Sequence, residues 1–168
     1  LSPAAFPYMG VREGSVAGVL GATSVAGWFF IVDVVLRHPF QTPIELGRGF
    51  FTLFGQTTNG NTDLLVVIGY TVFHYLAFIA AGIVVAAIVH WAEQQPTVLA
   101  GAMILFVAFE VGFYGLSSAF DSIPVLGVLA WYNVAVGNLI ASITMGAYMW
   151  RAHPGLKAEL IYALEGRE

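Results

Sequence analysis

Apolar stretches of roughly 20 residues or more, almost free of charge, follow one another along this chain and constrain it more than any other feature. They cover residues 14 to about 37, 63 to 91, 97 to 118 and 125 to 150. A helix of about 20 apolar residues crosses about 30 Å of hydrocarbon, so each stretch is long enough to span and the longer ones must tilt. The first is stopped by His38-Pro39, because proline disfavours helix in the residue before it. Hydrophobic residues make up 58% of the 168 and charged residues only 10%. A soluble domain carries about 25% charge and has too little interior at this size to hide so much apolar surface. The expectation is therefore all-α: a single integral membrane domain over residues 1–168, built as a four-transmembrane-helix bundle.

Composition also removes whole classes of function. With no cysteine, thiolate metal sites, iron–sulfur clusters and thiol-exchange chemistry are excluded. A net charge of −4 without a basic cluster argues against nucleic acid as a partner. Residues 1–13 lack the charged, apolar and cleavage regions of a signal peptide, so the first apolar stretch reads as a span. Four spans place both termini on one side. That side carries Arg12, Arg151, Lys157 and Arg167, against Arg37 and Arg48 on the other. The positive-inside rule makes the richer side cytoplasmic, and Trp91 and Trp150 fall at the same helix ends as an aromatic belt would.

The long connection on the opposite side has structure of its own. Thr42-Pro43-Ile44-Glu45 has the form of a capping box with proline at the first helical position, predicting a helix over residues 43 to about 54. Its apolar residues, Ile44, Leu46, Phe50, Phe51, Leu53 and Phe54, suit an interfacial or re-entrant helix, or equally a segment packed over the bundle. Asn59-Gly60 supplies a turn. After the fourth span His153-Pro154-Gly155 breaks the helix, and residues 155 to about 165 resume at helical spacing with Leu156, Leu160, Ile161 and Leu164 on one face.

Ionisable groups at membrane depth are costly and face protein or a wet cavity, which singles out Asp33, His74 and Glu110. Counting the helical rise from the helix ends opposite the termini puts Asp33 roughly 6 to 8 Å deep, His74 roughly 15 Å and Glu110 roughly 12 Å. Asn133 falls at roughly 11 Å by the same count. One intramembrane polar layer of Asp33, His74, Glu110 and Asn133, with Tyr114 on the stripe of Glu110, is the candidate site. Simpler roles stand beside it. Asp33 and Arg37 have the i,i+4 spacing of an intrahelical ion pair. His74 is placed to bridge two helices by a hydrogen bond, and Glu110 is protonated, wetted or paired with His74. No residue is expected to be catalytic and none to ligate metal. His74 has no second histidine at its depth for haem, and the Glu-x-x-His pair of di-iron bundles is missing.

The segments HPFQTP (residues 38–43), GYTVFHYLAF (69–78) and FEVGFYG (109–115) resemble stretches of uncharacterised small bacterial four-span integral membrane proteins. That resemblance spans most of the chain and implies a fold and no activity. The function expected is a non-catalytic accessory or structural subunit of a larger, energy-transducing membrane complex, respiratory or photosynthetic. Its partners are lipids and other integral membrane subunits, and it has no resident cofactor beyond bound lipid. An excess of aromatic residues, 13 Phe, 7 Tyr and 4 Trp, over what a small bundle buries points the same way. The alternative is a small proton-coupled carrier, or a quinone- or metal-binding redox membrane protein, using Glu110 and His74, with haem left only to His90 and His153 at the surface.

Overall fold

The computed structural model describes residues 6–56, 62–92, 95 and 131–153, and all regular structure among them is helical. Helix α1 is Phe6–Val35, α2 is Gln41–Leu53, α3 is Asp63–Ala92 and α4 is Trp131–Ala152. Two of these, α1 over Gly10–Val35 and α3, are long and apolar enough to cross a membrane. The expected span at 97–118, the helix at about 155–165, and with them Glu110 and Tyr114, lie outside the described residues.

Helix α1 ends in a Schellman turn. The His38 N–H reaches the Asp33 carbonyl at 2.9 Å and the Arg37 N–H the Val34 carbonyl at 3.0 Å, with Arg37 left-handed at φ 62°. Those bonds satisfy carbonyls that a helix end otherwise leaves open, and Pro39 then prevents continuation. Helix α2 stops the same way, with Gln56 N–H on the Phe51 carbonyl and Gly55 left-handed at φ 73°. Here glycine takes the left-handed position without steric cost.

The start of α2 differs from the expected capping box. Phe40, at φ 68°, is the residue before the first turn and makes no side-chain cap bond, and the helix begins at Gln41 rather than Pro43. Thr42 lies inside the first turn and its hydroxyl bonds to Asp33 instead. A hydroxyl that donates to a carboxylate makes a charge-assisted bond about twice as strong as a neutral cap bond, so Thr42 is drawn away from the capping role.

Helices α1 and α3 run antiparallel with their backbones in close approach. A Cβ on Gly14 would come within 2.7 Å of the Gly82 carbonyl oxygen, and one on Gly82 within 2.7 Å of the Gly18 nitrogen. Only glycine permits such proximity. Helix α4 also runs antiparallel to α1: Met145 packs beside Gly21 and Gly137 beside Trp28 and Phe29. The Trp28 indole donates to the Asn133 carbonyl at 3.0 Å. Ala17, Ala86, Val89, Ala92, Met145 and Met149 form a buried cluster between α1, α3 and α4, nearer the N-terminal end of α1. Helix α2 leans along the other end of α3, with Gly47 beside Val66 and Tyr70, Phe51 over Gly69 and Phe50 stacked on Phe73 at 4.3 Å. Arg48 reaches Asp63, at the first turn of α3, at 2.6 Å.

Candidate functional site

The core cluster fills one end of the bundle, and a cavity of about 180 Å³ occupies the other, between α1, α2 and α3. Its walls are apolar, formed among others by Val25, Phe29, Phe30, Phe40, Leu46 and Val67. Asp33, Thr42, Tyr70, Thr71, His74 and Tyr75 also line it. The α2–α3 packing holds the third wall in place, because Gly47 lets α2 come down onto Tyr70.

Asp33 is 3% exposed, and both its carboxylate oxygens are engaged. The Thr42 backbone N–H donates to Oδ2 at 2.9 Å and the Thr42 hydroxyl to Oδ1 at 2.6 Å. The expected i,i+4 pair with Arg37 is not formed. Arg37 has left the helix as the left-handed residue of the α1 stop and lies exposed, while the first turn of α2 brings N–H groups and the positive end of a helix dipole to the carboxylate. Asp33 therefore caps α2 from α1.

His74 bridges helices: its Nε2 donates to the Ala22 carbonyl at 3.1 Å. A carbonyl can only accept, so Nε2 carries the proton. One residue on, the Tyr75 hydroxyl shares a hydrogen bond with Thr23 at 3.0 Å. Tyr70, one turn before His74, lies with its ring centroid 6.0 Å from the imidazole. Asp33 and His74 thus line one cavity. Asn133 is not among its described lining residues and meets α1 through its backbone carbonyl at Trp28.

A second polar cluster joins the other ends of the helices. His153 is buried, its Nε2 lies 3.0 Å from Glu13 Oε2, and its ring is 6.3 Å from that of His90. It ties the end of α4 to the start of α1. Among the described residues no group of three or more His, Asp or Glu is arranged to hold a metal ion.

The sequence marks Thr42 only as a cap of its own helix, and it does not single out Thr23 or Tyr75. The signal was there for Thr23 and Tyr75, hydroxyls inside long apolar stretches, but hydroxyls are too common in helices to stand out without the facing helix. No protein-family model, curated protein or solved structure matches the chain.

Proposed function

We propose that this chain is a non-catalytic accessory subunit of a larger, energy-transducing assembly in a bacterial inner membrane, a multi-pass bundle with both termini cytoplasmic. One observation carries the reading: polar side chains deep in the long helices serve helix-to-helix bonds, Asp33 to Thr42, His74 to Ala22 and Thr23 to Tyr75. Polar residues of this kind hold bundles together.

Two further features support the membrane setting. Only 28% of the apolar stretch in α1 and 17% of that in α3 is buried, where a core helix of a soluble protein would be mostly enclosed. Large apolar side chains such as Ile31, Leu65, Leu76, Val84 and Ile143 point outward on three helices. The direction of the helices supports four spans. Helices α3 and α4 both run antiparallel to α1, as the second and fourth of four spans would.

The experiment is purification of the full chain from its native membrane in mild detergent. The expected result is a particle several times the mass of the 18.0 kDa chain, with fixed stoichiometry to other integral subunits and no metal or visible chromophore bound to this chain. A lone chain carrying stoichiometric metal or haem would refute the reading. Reporter fusions after Gly60 and Glu168 test the orientation, and a cytoplasmic signal at Gly60 would reverse it.

A further inference from the structure

The cavity between α1, α2 and α3 keeps polar atoms that the bundle does not use. Among the described residues the Tyr70 hydroxyl makes no hydrogen bond, and the only bond of the His74 ring is the one from Nε2 to Ala22. With Nε2 protonated, Nδ1 of the neutral ring is a bare acceptor. The two residues that carry this donor and this acceptor, one helical turn apart, line a space of about 180 Å³ walled largely by apolar side chains.

Size and polarity together restrict the occupant. A cavity of about 150 Å³ lined by apolar groups takes one benzene, so this one has room for a single substituted six-membered ring and not for a macrocycle. An acyl chain would fill it but leave both polar atoms without partners, at a cost of about 1–3 kcal/mol for each that is shut away from water. A ring hydroxyl accepts from Tyr70 and donates to His74, whereas a ring carbonyl serves Tyr70 alone. At the rim, Phe30 and Phe40 both line the cavity, pack at 5.5 Å and stay 47% and 52% exposed, which gives an aromatic edge facing the surroundings of α1.

We infer that this cavity binds the hydroxylated ring of a lipid-soluble quinol, with Tyr70 and His74 Nδ1 as its polar contacts and Phe30 and Phe40 at the opening. The assignment rests on α1 and α3 lying in a bilayer, since the ligand arrives through lipid. It does not depend on membership of a larger assembly.

The test uses the full chain in phospholipid nanodiscs, titrated calorimetrically with a decyl-tailed benzoquinol, the matching benzoquinone, and decanol. The expected result is saturable binding of the quinol, about tenfold tighter than the quinone because the oxidised ring leaves Nδ1 unpaired, with no competition from decanol. Tyr70→Phe keeps the ring and should weaken quinol binding roughly three- to tenfold. Ala26→Phe, at an exposed position on the cavity wall, should abolish it by filling the space. Circular dichroism of both variants checks that the helices persist. Equal competition by decanol, an unchanged affinity in Tyr70→Phe, or no saturable binding by a folded chain that resists alkaline carbonate extraction would overturn the proposal. Release by carbonate would overturn the membrane setting as well, which separates the two failures.

Discussion

Thr42 gives both its backbone N–H and its hydroxyl to the carboxylate of Asp33, at 2.9 and 2.6 Å. The same Asp33 accepts the His38 N–H on its backbone carbonyl, so one residue closes α1 and anchors the start of α2. This corner forms one wall of the cavity, and the geometry of the cavity depends on it.

Asp33→Ala should therefore destabilise the bundle by about 2–3 kcal/mol, the upper range for lost hydrogen bonds to a charged group. Thr42→Val removes one of the two bonds and should cost less. In a double-mutant cycle read by detergent thermal melts, the pair should show coupling above about 1 kcal/mol. Additivity within about 0.3 kcal/mol would mean that the carboxylate does not hold α2.

Glycines on α1 and α3 should respond in opposite directions to the same change. At Gly82 a Cβ meets the backbone of α1, which cannot yield, so Gly82→Ala should cost at least about 3 kcal/mol or prevent folding. At Gly27 nothing lies within 4 Å, and Gly27→Ala should stabilise α1 by about 0.5–1 kcal/mol through helix propensity. Equal melting temperatures for the two variants would contradict the α1–α3 contact.

The Glu13–His153 contact should hold α4 to α1 at the end away from the cavity. Its two side chains are 29% and 10% exposed, so solvent screens it in part and each single removal should cost about 1 kcal/mol. Glu13→Gln and His153→Gln should be less than additive in thermal melts. Independence of the two substitutions would show that this contact does not hold α4 to α1.

Helix identity and helix ends were legible because their causes are local. Long uncharged runs are helical wherever backbone groups must bond within the segment, and Pro39 acts on the residue before it, whereas the stop at Gly55 shows only in the structure. Asp33 and His74 stood out for a similar reason, being ionisable within apolar runs. Their partners were not legible. Arg37 and Thr42 both lie close to Asp33 in the chain, and only the left-handed turn at Arg37 decides between them. Helix α3 is apolar all round, so periodicity could not name the face that meets α1. Alanines 77 and 81 extend the Tyr70 side in sequence, yet both are exposed, and Phe78 and Gly82 meet α1 instead. The sequence by itself determined that the chain forms long apolar helices and where several of them stop. Only the tertiary structure decided which backbones touch and which cavity the polar residues share, because a carbonyl such as that of Ala22 becomes a partner only when another helix brings a donor to it.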